Sequence, residues 1–203
     1  LEMLRVLSAD MPFAMLRFSN LEGKSYDGAG NEVDLSGTDY FKRAVLGESS
    51  IMTEDPTQTV DDNMLVISAP VIREGKVVGT LHAGYDLFSL SKLIEMQTFD
   101  GESYSIIISA EGDGILNSMN PYALNTERQN YFSFVQQGEF LRSSYEEVME
   151  DVQNRASGSA RYKIDDSERF IYYTPLSINN WYLVEMVSGS QIEEMTRPVT
   201  YMV

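Results

Sequence analysis

The chain has 203 residues, of which 43% are hydrophobic and 11% aromatic, enough to bury a core and too apolar for an intrinsically disordered segment. Its formal net charge of −16 excludes the clustered Lys and Arg of a nucleic-acid surface and disfavours docking on anionic lipid. The absence of cysteine and the single histidine exclude thiolate and multi-histidine metal sites, and no apolar run reaches the ~20 residues of a membrane span.

The chain begins in LEMLRVLSADM, with Leu1, Leu4 and Leu7 at helical spacing. FAMLRFSNLEGKSYDGAGNEVDLSG follows, short apolar runs broken by Gly, Asn and Asp, as in strands and turns. TDYFKRAVLGES predicts a short helix capped by Thr38 or Asp39 and stopped at Gly47. IMTEDPTQTVDDN is a polar loop. MLVISAPVIREGKVVGTLHAGYD predicts two strands joined at Glu74-Gly75, and LFSLSKLIEM a helix with Leu87, Leu90, Leu93 and Ile94 as its stripe.

The second half repeats the scheme. SYSIIISAEGDGILNS reads as two strands around an acidic Gly-containing turn, RQNYFSFVQQGEFLRSSYEEVMEDVQNR as largely helical, and the stretch from Ala156 to Val187 as three strands turning at Asp165-Asp166 and Asn179-Asn180. Pro70 and Pro175 each precede a hairpin, a strand and a capped helix, about half the chain apart. The pattern predicts an α+β protein of two tandem modules, 1–95 and 96–203.

Chemistry of the familiar catalytic kinds is missing. There is no phosphate-binding Gly-rich loop, no nucleophile elbow for a triad on His82, and AEGDGILN lacks calcium-loop spacing. No catalytic residue, metal ligand or cofactor is assigned. The strand before Leu87 is more informative. Alternation places Thr80, His82, Gly84 and Asp86 on one face and Val77, Leu81, Ala83 and Tyr85 on the other. The first face is small, polar and acidic at its end. It either meets water or lines a pocket.

The order DLSGTDYFKRAVLGES, TEDP, MLVISAPVIREGKVVGTLHAGYDLFSLSKLI resembles the membrane-distal half of a double Cache domain. SYSIIISAEGDGILNS and RFIYYTPLSINNWYLVEMV resemble its membrane-proximal half. The resemblance implies two PAS-like modules, each an antiparallel sheet flanked by helices, with a long N-terminal helix. It implies an extracytoplasmic sensor of a bacterial transmembrane receptor, attached to the plasma membrane only through flanking spans and homodimeric in the full receptor. The cytoplasmic output would be a diguanylate cyclase, histidine kinase or chemoreceptor tail. The alternative is a surface-anchored solute-binding module without output.

The resemblance also implies a ligand site in the distal half, with Asp86 as the aspartate ending its last strand; Asp86 is equally suited to cap the helix at Leu87. The amino-acid-binding pattern Arg-x-Trp-Tyr falls on Thr38, Asp39, Tyr40 and Phe41, and its later Tyr and Asp on Thr57 and Thr59. The carboxylate-clamping arginine is therefore missing. The expected ligand site comprises Tyr40, Thr57, Thr59, Ser68, His82 and Asp86, for a neutral or amine-bearing small molecule. Trp181 and Tyr182 are expected to pack in the core, and NSMNPYALN to cover a second pocket.

Overall fold

A computed structural model of the chain describes residues 2–10, 13–53, 64–94, 103–118 and 130–192. Thr57, Thr59 and most of NSMNPYALN lie outside the described residues. The chain divides into two compact units, residues 1–90 and 91–203.

The first unit opens with α1 (Glu2–Asp10), a helix of nine residues. A six-stranded antiparallel sheet follows, formed by β1 (Met15–Ser19), β2 (Lys24–Asp27), β3 (Glu32–Asp34), β4 (Ser50–Met52), β5 (Met64–Arg73) and β6 (Lys76–Asp86) in the order β3-β2-β1-β6-β5-β4. Glu74 and Gly75 both take positive φ, 51° and 74°, the backbone a two-residue hairpin between twisted strands requires. Between β3 and β4 lies α2 (Asp39–Val45), whose N-cap is Thr38: its hydroxyl accepts from the Phe41 N–H. Tyr40, Phe41 and Ala44 are the buried face of α2 and pack with Met15, Leu35, Met64 and Val66. α3 (Leu87–Leu93) follows β6 directly. None of its residues is buried, so the expected apolar stripe is not a core stripe within the described structure.

The second unit repeats the plan in β7 (Ser103–Ile108), β8 (Gly114–Asn117), β9 (Glu139–Phe140), β10 (Gly158–Ile164), β11 (Ser167–Pro175) and β12 (Tyr182–Ser188), ordered β8-β7-β12-β11-β10-β9. β7, β12, β11 and β10 stand where β1, β6, β5 and β4 stand in the first sheet. The stretch expected to be largely helical is instead α4 (Tyr131–Val135), the short strand β9, and α5 (Tyr145–Gln153). Gly138 interrupts it where a side chain would meet the Tyr162 ring. α5 starts at a capping box, Ser144 accepting from Glu147 N–H while the Glu147 carboxylate accepts from Ser144 N–H. The core is rich in aromatic rings and joins Tyr104, Ile106, Ile108, Tyr131, Phe132, Tyr162, Ile171, Tyr182 and Val184. Trp181 and Tyr182 are buried as expected; the Tyr182 hydroxyl donates to the Val152 carbonyl at 3.1 Å.

Candidate functional site

Directly paired residues of antiparallel strands share a face, so the registers of the first sheet can be read as rows. One row runs Asp27, Arg17, His82, Ser68, Ser50 across β2, β1, β6, β5 and β4. The next runs Ser25, Ser19, Thr80, Pro70. This is the face α2 covers, since the Ser68 hydroxyl donates to the Tyr40 carbonyl at 3.1 Å and the Tyr40 ring meets the His82 ring edge-on at 5.2 Å. The polar side of β6 therefore looks into the unit and not at water. Ser19, Ser25, Ser68, Thr80 and His82 are fully buried, and Ser50 nearly so.

His82 is held at both ring nitrogens, Nδ1 to Ser68 Oγ and Nε2 to Thr80 Oγ1, each at 2.8 Å. Ser68 spends its one proton on the Tyr40 carbonyl, so it accepts from Nδ1–H, and Thr80 donates to Nε2. Burial pushes the imidazole from 6.5 down to about 4, which keeps it neutral. The ring thus organises the floor of the site; its polar atoms are committed to Ser68 and Thr80.

Other groups on this face have no partner. The hydroxyls of Ser19, Ser25 and Ser50 and Nε of Arg17 are buried without a hydrogen bond. Such groups are uncommon, each costing about 1–3 kcal/mol. Arg17 is tied at its tip, Nη2 lying 3.8 Å from the Asp27 carboxylate and Nη1 donating to the Asn31 carbonyl at 3.4 Å. Hydrogen bonds from Asn31 and Ala29, with the Arg17 charge, hold the Asp27 carboxyl below its ordinary range. A cavity of about 380 Å³ opens at this end of the row, lined by Arg5, Phe13, Met15, Arg17, Asp27 and Gly28.

Of the residues expected at a ligand site, the structure brings Tyr40, Ser68 and His82 into one cluster. Asp86 stands at the far end of the same strand face, half-buried, opposite Met64. One of its oxygens accepts from Ser89 N–H at 2.9 Å and from the Ser89 hydroxyl at 2.8 Å, so it does cap α3. Arg17, Ser19, Ser25 and Ser50 were not expected. The alternation in MLRFS places Arg17 and Ser19 on one side, but only the pairing of β1 with β6 turns that side toward His82.

The profile of the dCache_1 family, described as Cache domain, matches residues 5–196. The chain belongs to the Cache domain family. Among curated proteins it is 29% identical over 125 residues to the methyl-accepting chemotaxis protein PscA of Pseudomonas syringae pv. tomato; the match takes in 59% of this chain and 20% of that receptor. The chain thus spans about a fifth of the curated relative. Among solved structures it resembles the ligand-binding domain of the Pseudomonas aeruginosa amino acid chemoreceptor PctB in complex with L-Arg (TM-score 0.64, 16% identity, 92% of this chain and 75% of that one). The sensory domain of the Campylobacter jejuni chemoreceptor Tlp3 with isoleucine bound is similar (0.60, 14%, 94% and 72%). So is the extracellular domain of the putative histidine kinase rpHK1S-Z16 (0.68, 13%, 95% and 78%). At these identities the structural likeness speaks for the fold. This Cache domain is a sensory domain of the kind carried by chemoreceptors.

Proposed function

We propose that this Cache domain is the small-molecule-sensing part of a bacterial plasma-membrane receptor, with residues 1–95 as the membrane-distal, ligand-binding module and 96–203 as the membrane-proximal one. In this reading α1 is part of a longer helix descending from a membrane span, a second span follows the chain, and receptors pair as homodimers. The output is a chemotaxis or kinase domain beyond the chain.

The observation that carries the reading is the buried polar face of the first sheet. Unpartnered hydroxyls beside a neutral histidine destabilise an empty fold, and a ligand's polar atoms relieve that cost. The charges on this face favour an amine-bearing or neutral ligand. Arg17 is already met by Asp27, and Asp86 adds a negative end. The amino acids named for PctB and Tlp3 fall in this class. Tyr40, Ser68 and His82 shape the floor, Asp86 takes the ammonium group, and Thr57 and Thr59 are assigned from the family pattern.

A desolvated hydrogen bond from an ammonium to Asp86 contributes roughly 1.5–3 kcal/mol, so Asp86→Ala should weaken amine binding about 10- to 100-fold. The measurement is the ligand-induced rise in melting temperature, compared with each protein's own unliganded value because the variant also loses the α3 cap. The screen contains amines, amino acids and dicarboxylates. Stabilisation by dicarboxylates alone, equal in wild type and Asp86→Ala, sinks the assignment.

A further inference from the structure

In the first unit β1 runs on past the end of β2. It pairs with β6 from Met15 to Ser19, but with β2 only from Arg17 to Ser19. The stretch from Phe13 to Leu16 therefore has no strand beside it on the β2 side. α1 and the turn after β2 wall this notch. Gly28 lets the two meet, since a Cβ there would stand 2.9 Å from the backbone of Arg5. The cavity of about 380 Å³ is this notch, lined by Arg5 of α1, by Phe13, Met15 and Arg17 along β1, and by Asp27 of β2. Its volume falls within the ~300–1,000 Å³ typical of ligand pockets. Tyr40, Ser68, His82 and Asp86 do not line it, so it lies outside the amine site proposed above.

Arg17 brings to this cavity hydrogen-bond donors that the fold does not use. Nε is buried and has no partner. Nη1 donates to the Asn31 carbonyl at 3.4 Å, a long bond. Nη2 stands 3.8 Å from the Asp27 carboxylate, near enough for attraction and too far for a hydrogen bond. Asp27 spends its acceptors on its own turn instead. Oδ1 accepts from the Ala29 and Asn31 N–H groups, each at 2.9 Å, and Oδ2 accepts from the Asn31 side-chain amide at 2.8 Å. The acid thus offsets the charge of Arg17 without answering its guanidinium.

A planar fork of N–H donors is matched best by a carboxylate. The rest of the lining says which kind. Two arginines against one aspartate leave one positive charge, which suits a monoanion better than a dianion. Phe13, Met15 and Leu16 supply apolar wall, which a hydrocarbon remainder covers and an inorganic ion does not.

We infer that the notch between α1, β1 and the turn after β2 is a second ligand site, for a small apolar monocarboxylate held by Arg17 and Arg5. The carboxylate oxygens accept from the Arg17 guanidinium, Arg5 adds the attraction of a second charge, and the hydrocarbon part lies along Phe13 and Met15. The site does not depend on the amine site, and its charge preference is the opposite one.

The test is calorimetric titration of the 203-residue chain with sodium benzoate and sodium butyrate, compared with benzamide, sodium succinate and sodium phosphate. At least one monocarboxylate should bind saturably, and the three comparison compounds more weakly by about tenfold or more, the worth of one charge-assisted hydrogen bond. Arg17→Lys keeps the charge and removes the fork, and should cost a similar factor. Arg5→Gln should weaken binding about two- to fivefold, the value of an exposed ion pair, and reduce its salt dependence. Asp86→Ala should leave it unchanged, so this site and the amine site can fail separately. If Arg17→Lys does not fold, Arg5→Gln decides, because Arg5 is exposed on α1. The inference is overturned if neither monocarboxylate binds, if benzamide, succinate or phosphate binds as well as either of them, if either arginine is replaced without loss of affinity, or if Asp86→Ala removes the response.

Discussion

His82 shows how a residue that looks reactive in a sequence becomes a structural one. Ser68, Thr80 and the Tyr40 ring enclose it, and removal from water holds its pKa near 4. The fold binds the neutral ring, so below about pH 6.5 the unfolded chain takes up a proton that the folded chain refuses. The stabilisation is fully present above that pH and is lost as pH falls toward 4. Between pH 7 and 4.5 the loss attributable to this group is about 2–3 kcal/mol. Urea unfolding at both pH values should show wild type losing that much more than His82→Gln. Equal losses would mean that the ring is reached by solvent or held in its charged form.

At the level of elements, the two modules show what a pattern of residues can and cannot reveal. The strands around Glu74-Gly75 and Asp165-Asp166 were legible because turn residues with positive φ separate alternating apolar runs. The twofold scheme was legible from its prolines, and α2 from Thr38 and Gly47. The break between α4 and α5 was not, because β9 is two residues long and exists only through pairing with Tyr162 and Lys163 of β10. The same limit hid half of the candidate site. Tyr40, Ser68, His82 and Asp86 sit on elements whose family pattern is readable, whereas Arg17, Ser19, Ser25 and Ser50 acquire meaning only when β1, β2 and β4 are laid beside β6 and β5. Local signals, where present, carry measurable weight. Ser144→Ala removes one arm of the α5 capping box and should lower the stability of the second unit by about 1 kcal/mol. An unchanged denaturation midpoint would show that α5 is held by Val148 and Val152 alone.

For the molecule as a whole, the two units have unequal cores. The described core of the first is built on Met15, Leu35, Tyr40, Phe41, Met64 and Val66, while the second joins rings and aliphatic side chains from α4, α5 and four strands. The first unit should therefore melt at the lower temperature, as suits the part assigned to ligand response. Calorimetry should resolve two transitions. Val66→Ala should lower only the first and Val184→Ala only the second, each by about 5–10 °C, given core losses of about 1.5–2 kcal/mol in units of this size. A single transition moved by both substitutions would mean that the halves unfold as one.

Trp181 is the chain's one tryptophan, and it is buried just before β12 in the second unit. Selective excitation of the indole therefore illuminates one half of the molecule and leaves the other dark. Emission follows the second unit as it melts, whereas circular dichroism follows both units together. For an amine held in the first module, as proposed above, a change in indole emission reports an effect felt in the other module, so the native chain carries its own optical reporter of communication between its halves.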